Sequence, residues 1–234
     1  MADAARPRPI VAIDGPAGAG KSTVARRLAD ALGFVLVDTG ALYRAVALAA
    51  EQSKISWNDE EGVGDLARSL VVRRRLSFER DRETGLRVAF DGDDITEAIR
   101  TPHIGMGAST VSAHKPVRDA LLDIQRQAGR PGGVVLEGRD IGTIVFPDAE
   151  VKFFLTARPE VRAKRRYEEL VAKGIPVTPE ETLEDVLRRD AQDTTRTVAP
   201  LRQADDAILL DNSDRTVDQT VAAMVSVVRA RSDP

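Results

Sequence analysis

Short apolar runs alternate along the chain with stretches of helical period. The first run, Ile10–Ile13, is followed by a glycine-rich loop and then by a helical pattern over residues 24–32, with Gly33 as its stop. A second run, Phe34–Val37, leads into a helical pattern over residues 41–50. Strands that alternate with helices in this way predict a parallel sheet with helical crossovers.

Three further apolar runs extend this sheet. They lie at Val134–Leu136, Val151–Leu155 and Ala207–Leu210, so we predict five parallel strands flanked by helices. A capping box that begins at Thr178 opens another helix, and the last helical pattern starts at Val217. The predicted fold class is therefore α/β.

Between about residues 70 and 96 the hydrophobic period changes from helical to two. Two alternating runs predict two strands, and residues 94–96 form a weak third. The alternating apolar positions are Val72, Leu76 and Phe78, then Leu86, Val88 and Phe90. Residues 81–85 are expected to form one turn, and Asp91-Gly92 is typical of a hairpin. We predict a small, three-stranded antiparallel sheet inserted into the parallel pattern.

The loop after the first strand, Gly15-Pro-Ala-Gly-Ala-Gly-Lys-Ser22, fits the pattern G-x-x-x-x-G-K-[S/T]. Its glycines leave backbone N–H groups free to surround an anion, and the following helix directs its positive end at the same point. Lys21 would reach the outer phosphates of a nucleoside triphosphate, and the Ser22 hydroxyl would ligate Mg²⁺. The alternative is a glycine-rich turn before an ordinary helix.

Composition narrows the class of protein. The chain has 234 residues, a formal net charge of −3 and no cysteine, so we expect one domain without disulfides or thiolate metal sites. The charge argues against a surface that binds duplex nucleic acid and leaves a local basic groove as the alternative. No run reaches bilayer length or forms a signal core. We therefore expect a cytoplasmic protein with neither a nucleic-acid nor a membrane partner. Arginines number 28 and lysines 6, which reflects both genomic composition bias and phosphate recognition.

Polar side chains follow two of the predicted strands. Tyr43 and Arg44 lie on the first turn of the helix after the second strand, and Arg139 and Asp140 follow the third. Ligands of open α/β sheets gather at the carboxyl ends of strands, so a second anion site is one interpretation. The other is structural: Tyr43 in the core, Arg44 in solvent, and an ion pair between Arg139 and Asp140.

Two arginine-bearing segments lie farther along the chain. Arg162, Arg165 and Arg166 share one helical face, which either meets an anion or is solvated, with Glu168 and Glu169 placed to offset Lys164 and Arg165. Another group consists of Arg189, Asp193 and Arg196, near a helix end. It forms either a lid that closes over phosphates or an ordinary surface helix terminus.

Five motifs occur in order along the chain: "IDGPAGAGKST", "DTGALYR", "EGRDIGTIVFPDA", "RAKRR" and "RDAQDTTRTVAPL". Together they resemble the bacterial cytidylate kinases, which are nucleoside-monophosphate kinases, and the resemblance extends from Ile10 to about Val228. It implies a P-loop NTPase-type core (residues 10–58 and 130–234), with a lid within about residues 156–200. Residues 59–129, with the small antiparallel sheet, would be a monophosphate-binding insert.

The resemblance also implies roles for individual residues. Those implied to be catalytic are Lys21, Arg162, Arg189 and Arg196. Those implied to bind ATP are Gly15, Pro16, Ala17, Gly18, Ala19, Gly20, Lys21, Ser22 and Thr23. Those implied to bind CMP are Thr39, Tyr43, Arg44, Ser109, Arg118, Arg139, Asp140, Arg189 and Asp193. Ser22 would ligate Mg²⁺, with Glu137 reaching it through a water molecule.

Within the CMP set, Ser109, Arg118 and Asp140 match positions that read the cytosine edge. Of the remaining residues, Arg44, Arg139 and Arg189 resemble the contacts to the monophosphate, and Tyr43 would pack beside the nucleotide. Asp193 matches a residue that binds the sugar hydroxyl. The expected activity is ATP-dependent phosphorylation of CMP and dCMP by a monomer. The alternatives are another small phosphate-loop kinase, such as one acting on shikimate, and a nucleotide switch or nucleic-acid-dependent ATPase.

Overall fold

The computed structural model describes residues 6–81 and 85–232, in which strands and helices alternate. In chain order these are β1 (Ile10–Asp14), α1 (Lys21–Leu32), β2 (Val35–Asp38), α2 (Gly40–Gln52), α3 (Glu60–Val72), β3 (Leu76–Asp81), β4 (Gly85–Phe90), β5 (Asp93–Asp94), α4 (Pro102–Val111), α5 (Lys115–Gly129), β6 (Val134–Gly138), β7 (Val151–Thr156), α6 (Pro159–Ala172), α7 (Pro179–Thr195), β8 (Ile208–Asp211) and α8 (Val217–Ser232).

The predicted parallel sheet is confirmed. Over the described ranges its strand order is β2-β6-β1-β7-β8, and every neighbouring pair is parallel. All five residues of β1 are buried, as expected for a central strand covered by helices on both faces. Because the strands are parallel, their carboxyl ends lie along one edge, which therefore carries the residues after β1, β2, β6, β7 and β8.

The small sheet is also confirmed, with order β3-β4-β5, but two of its predicted details are wrong. Val72 ends α3 and is 81% exposed, because it lies outside the buried side of that helix, which Val63, Ala67 and Leu70 form. The third strand is Asp93–Asp94 rather than residues 94–96. Asp91 and Gly92 have φ values of 54° and 87°, the left-handed pair that a tight hairpin requires. Of the turn predicted at residues 81–85, Asp81 ends β3 and Gly85 begins β4, and residues 82–84 lie outside the described residues.

Among the described residues, the hydrophobic core consists of three clusters. Two of them cover the two faces of the parallel sheet, and one of these packs against α1 and α8. Another cluster joins the apolar side of α2 to α3, α4, α5 and the small sheet. The insert therefore packs on a helix that begins at the edge of the parallel sheet. The division into core, lid and insert at residues 59 and 130 stays a prediction.

Helices α6 and α7 pack against each other and lie over the carboxyl edge of the sheet, where the lid was predicted. The capping box is present at the start of α7, where the Thr178 side chain accepts from the backbone N–H of Glu181 and the Glu181 side chain accepts from that of Thr178. Across the described ranges, no helix combines the length and apolar character that crossing a bilayer requires.

Candidate active site

The phosphate loop leaves β1 at Asp14 and enters α1 at Lys21. Gly15, Gly18 and Gly20 have φ values of 152°, 74° and 85°, which L side chains rarely adopt. At Gly15 a Cβ atom would also lie 2.0 Å from the carbonyl oxygen of Leu155 on β7. Glycine is therefore required there both by its dihedral angles and by close packing against the neighbouring strand.

The carbonyl groups of the phosphate loop are held by side chains. Lys21 Nζ donates to the carbonyl oxygens of Gly15 and Pro16, at 2.8 Å each. Arg162 Nη1 donates to Ala17 O at 3.0 Å. Asn212, which directly follows β8, donates from Nδ2 to Ala19 O at 2.9 Å. A loop whose N–H groups surround an anion turns its carbonyls outward, and these contacts satisfy them.

Arg162 joins three parts of the molecule. It is only 3% exposed, and its Nε donates to Ala157 O at 2.8 Å, while its Nη atoms reach the Asp190 carboxylate on α7 at 2.9 and 2.5 Å. The solvated-face interpretation is therefore wrong for this arginine. Its paired, fork-like contact with Asp190 fixes the guanidinium against the phosphate loop and joins α6 to α7.

The two neighbouring arginines have different partners. Arg165 donates to the side-chain and backbone oxygens of Asn212, at 3.0 and 2.9 Å. Arg166 pairs with Glu169 at 2.9 Å. The expectation that Glu169 offsets Arg165 is wrong, because Glu169 contacts Arg166 and Lys173 instead.

Glu137 and Ser22 form a site beside the loop that fits a metal ion. Glu137 is buried and accepts a hydrogen bond from Ser22, and its Oε1 atom has no hydrogen-bond partner among the described residues. Burial raises the pKa of Glu137, and Asp38, its neighbour across the β2–β6 pair, raises that pKa further. A buried, unpartnered carboxylate oxygen next to a hydroxyl group is a donor set that suits Mg²⁺.

Lys21 lies in the same buried region. Burial lowers the pKa of Lys21, and the nearby Arg139 guanidinium lowers it as well, while Glu137, Asp193 and Asp14 raise it. A phosphate placed against the ammonium group would favour its charged form. A buried cation next to the phosphate loop is well placed to stabilise negative charge on the outer phosphates of a nucleotide, because little water screens it.

Asp14, the last residue of β1, fixes the segment that follows β6. Its carboxylate accepts from the backbone N–H groups of Ile141 and Gly142, at 2.7 Å each. These two residues begin a single π-helical turn, Ile141–Val145. The contact therefore positions the chain directly after Arg139 and Asp140.

Arg118 and Asp140 form a buried ion pair between α5 and the segment after β6. The Arg118 guanidinium carbon lies 5.4 Å from the centre of the Tyr43 ring. Tyr43 itself packs in the core, and burial raises the pKa of its phenol. Asp140 therefore pairs with Arg118, and not with Arg139 as the structural alternative proposed.

Arg139 pairs with Asp193 of α7, with Nε 2.7 Å from Oδ2. Arg196 Nη1 lies 3.8 Å from Oδ1 of the same carboxylate, and its Nε donates to Ala199 O at 2.6 Å. The two arginines hold the pKa of Asp193 below its usual range. These contacts connect the end of β6 to the end of α7.

Two predicted residues follow β2. Arg44 Nη2 lies 2.5 Å from Asp38 Oδ2, so Arg44 is half-buried at the sheet edge and does not extend freely into solvent. The buried Thr39 hydroxyl donates to Glu137 O at 2.8 Å and so ties β2 to β6. The Thr39 hydroxyl proton is thus committed to the backbone.

Ser109 lies on α4 and Arg189 on α7, and each points toward the other helix. Ser109 Oγ donates to Gln192 Oε1 at 3.0 Å. Arg189 pairs with Asp185 and extends toward Gly105 at the start of α4. Burial lowers the pKa of Arg189, and the guanidinium groups of Arg166, Arg139 and Arg188 lower it too. The surroundings of Arg189 are therefore strongly electropositive.

Some polar atoms of the site lack partners inside the protein. Within the described ranges, three such atoms are buried and make no hydrogen bond: Arg44 Nε, Arg196 Nη2 and Glu137 Oε1. Buried polar atoms are normally satisfied, so unpartnered donors and acceptors at one sheet edge mark a place where a polar ligand fits.

Comparison with known proteins agrees with this arrangement. A family model described as cytidylate kinase matches residues 11–230. The chain belongs to the cytidylate kinase family. A cytidylate kinase from Citrifermentans bemidjiense is 52% identical over 95% of this chain and 93% of that protein. Another, from Geobacter sulfurreducens, is 50% identical over 99% of this chain and 97% of its own length.

A solved structure supports the fold of this cytidylate kinase family member. It is an uncharacterized protein from Eubacterium ventriosum, with a TM-score of 0.51 and 14% identity over 95% of this chain and 99% of that one. The predicted resemblance and the assignment to the nucleoside-monophosphate kinases are confirmed. The roles of the individual site residues stay predictions.

The sequence interpretation missed several residues that organise this kinase site. They are Asp14, Asp38, Asp190, Gln192 and Asn212. Asp190 and Gln192 could have been suspected from their position beside Asp193 in the arginine-bearing segment. Asn212 carried no such signal, because its role depends on the end of β8 lying next to the phosphate loop.

Proposed function

We propose that this cytidylate kinase family member transfers the γ-phosphoryl group of ATP in line to the phosphate of CMP or dCMP. An oxygen of the monophosphate forms the new bond to the γ-phosphorus while the bond to the β–γ bridging oxygen breaks, giving ADP and CDP or dCDP. The observation that carries the proposal is the sheet edge, where the phosphate loop lies close to Arg139 and Arg162, both paired with carboxylates of α7.

The second site suits cytosine. Cytosine presents an amino donor at N4 beside the acceptors N3 and O2. Asp140 would accept from N4, and Arg118 would donate to the acceptors, with the two side chains held together by their ion pair. Uracil has a carbonyl oxygen at position 4, which would face the Asp140 carboxylate unfavourably. We therefore expect discrimination against UMP.

The phosphates would be held by cations from several elements. Lys21 and Arg162 lie against the phosphate loop and would stabilise charge on the transferred group, together with Arg196. Arg44, Arg139 and Arg189 would bind the acceptor monophosphate. The attacking phosphate oxygen is already anionic near neutral pH, so no general base is needed, and positioning and electrostatic stabilisation account for catalysis.

Ser22, and Glu137 through water, would hold Mg²⁺ on the ATP phosphates. When bound, this ion neutralises charge that develops on the phosphate oxygens. Among the residues that the structure describes, no group of three or more acidic or histidine side chains could hold a metal alone. Binding is therefore expected to depend on the nucleotide, which supplies the remaining oxygen ligands.

The test is a panel of acceptors assayed with Mg·ATP and coupled detection of ADP. The proposal requires CMP and dCMP to give the highest kcat/KM, and it is overturned if adenylate or shikimate is preferred. Stimulation of ATP hydrolysis by RNA or DNA, with no diphosphate product, would support a nucleic-acid-dependent ATPase instead. We further propose that the protein is cytoplasmic and acts as a monomer. Sedimentation with and without nucleotides tests its oligomeric state.

A further inference from the structure

Gln192 of α7 makes two hydrogen bonds to one residue of α4. Its Nε2 atom lies 3.2 Å from the carbonyl oxygen of Ser109, and its Oε1 atom lies 3.0 Å from Ser109 Oγ. The carbonyl oxygen can only accept, so the amide nitrogen must face it. That orientation leaves the amide oxygen opposite the hydroxyl group. The Ser109 hydroxyl therefore donates its proton to Gln192.

A serine hydroxyl has one proton and two lone pairs. Once the proton is donated to Gln192, Ser109 Oγ can offer a ligand only its lone pairs. An amino group can donate to such an oxygen, whereas a carbonyl group finds no donor there. The polarity of Ser109 is therefore set by a residue on a different element.

We propose that Gln192 is a specificity-determining residue that holds Ser109 as a hydrogen-bond acceptor and so favours a 4-amino pyrimidine over a 4-oxo pyrimidine. The inference rests on the proposed function, in which Ser109 faces the cytosine edge. Gln192 does not contact the base itself. It acts through the hydroxyl of Ser109.

A chain of hydrogen bonds ties this pair to the other base-reading residues. Ser112 Oγ donates to Ser109 O at 3.0 Å, and Arg118 Nη1 donates to Ser112 O at 3.1 Å. Arg118 in turn pairs with Asp140. Both lone pairs of the Ser109 carbonyl are thus used, by Gln192 and Ser112, and its backbone is fixed relative to Arg118. Fixed acceptors discriminate well because they cannot rotate to suit a wrong partner.

The competing explanation is that Gln192 only fastens α7 to α4. In that case its loss would weaken closure of the site around any monophosphate, and CMP and UMP would be affected equally. A specificity role instead changes the ratio of the two kcat/KM values. This ratio separates the two explanations, since it is insensitive to a general loss of binding.

The experiment compares Gln192→Leu with wild type on CMP and UMP. Leucine frees the Ser109 hydroxyl to rotate and donate to a 4-carbonyl group, so the UMP-to-CMP ratio of kcat/KM is expected to rise about tenfold, as for gain of one hydrogen bond. Gln192→Glu keeps an acceptor for the hydroxyl and is expected to stay within about threefold of wild type in this ratio. An unchanged ratio in Gln192→Leu overturns the proposal.

A double-mutant cycle with Ser109→Ala tests whether Gln192 acts through the hydroxyl. In the Ser109→Ala background, Gln192→Leu should change the ratio by less than about twofold, and a change as large as in wild type overturns the proposal. Gln203→Leu, which alters a glutamine bonded to Ala207 O away from the site, is the matched control and should leave the ratio unchanged. Thermal unfolding checks that each variant is folded. If Gln192→Leu does not fold, the ratio is measured in Gln192→Ala, which also removes the side-chain amide.

The outcomes also separate this inference from the proposed function. If the wild-type enzyme does not phosphorylate CMP, the proposed function fails. If it does phosphorylate CMP, but Gln192→Leu lowers kcat/KM for both monophosphates equally, only the role of Gln192 is lost.

Discussion

Arg139 and Asp193 form an ion pair that joins the end of β6 to helix α7, with 2.7 Å between Nε and Oδ2. Asp193 is mostly buried, and Arg196 contacts its other oxygen from the end of the same helix. If Arg139 binds the acceptor phosphate, as proposed, its guanidinium is already oriented by α7. Closing of α7 and binding of the monophosphate are expected to support each other.

Replacing Asp193 with asparagine should impair the acceptor site selectively. The change leaves Arg139 without its charged partner and removes the expected contact to the sugar hydroxyl, so we expect KM for CMP to rise at least about tenfold. KM for ATP should change less than about threefold, because, over the part of the chain that the structure describes, Asp193 makes no hydrogen bond to the phosphate loop and acts on Lys21 only through its charge. Initial-rate kinetics in both substrates measure this. Glu184→Gln, an exposed change on the same helix, is the control, and equal increases in both KM values would contradict the assignment.

Lys21→Met should abolish turnover without unfolding the protein. The variant keeps the apolar stem but loses the cation, and we expect kcat to fall by about 10³-fold, as is typical when a charge-stabilising group is removed. Lys173→Met removes an exposed lysine that pairs with Glu169 and serves as the control. Single-turnover assays, with circular dichroism as a check of folding, give the measurement. A kcat within about tenfold of wild type would argue against Lys21 as the catalytic cation.

Arg118→Met should raise KM for CMP far more than KM for ATP. The change removes the donor expected to face cytosine and leaves the Asp140 carboxylate buried without its partner, so the free energy of unfolding should also fall by about 3 kcal/mol. Lys115→Met on the same helix breaks only an exposed pair with Asp119 and should leave both quantities nearly unchanged. Kinetics and denaturant unfolding of the two variants decide the matter, and equal KM effects for the two nucleotides would refute the division of the site.

Gly15→Ala should destabilise the fold by more than about 3 kcal/mol, because the new Cβ would overlap the Leu155 carbonyl and demand an unfavourable φ. Gly174→Ala is the matched control, since Gly174 also has a positive φ of 70° but no atom within 4 Å of the added Cβ. Gly174→Ala should lower the free energy of unfolding by only about 1 kcal/mol. Thermal unfolding compares the pair, and similar losses in both would show that the close approach at Gly15 is unimportant.

Asp14 should give the protein a measurable pH dependence. Burial raises its pKa to about 6 from an ordinary value of 3.8. The native state therefore binds more protons than the unfolded state between these values, so the stability contributed by protonated Asp14 is lost as the pH rises from about 4 to about 6. Asp14→Asn does not titrate, so its destabilisation relative to wild type should shrink by about 2 kcal/mol between pH 4 and pH 7. Denaturant unfolding across this range measures the difference, and a constant difference would be inconsistent with a raised pKa.

The sequence predicted the parallel sheet and the small antiparallel sheet because each depends on local hydrophobic period. Val72 was misplaced because its spacing fits the strand alternation with Leu76 and Phe78, whereas α3 continues to Val72 and leaves it exposed. The phosphate loop was recognisable because its glycine spacing follows from backbone geometry rather than from the rest of the fold.

Partner choice within the site could not be predicted. Arg139 and Asp140 are neighbours in sequence, yet each pairs with a side chain from a distant helix. In the same way, the spacing of Arg165 and Glu169 suggested a helical ion pair, whereas Arg165 binds the chain end after β8. Such choices depend on which elements meet at the sheet edge, and the order of strands is not encoded in any local pattern.

The position of α2 constrains how this fold can be shortened. Eight of its residues are buried, and most of their cover comes from α3, α4, α5 and the small sheet. Excising the insert to obtain a minimal kinase would expose the apolar, alanine-rich side of α2, which carries Tyr43 near its start. A trimmed enzyme would need new polar residues along that helix before it could remain monodisperse, so residues 59–129 serve as structural support for α2.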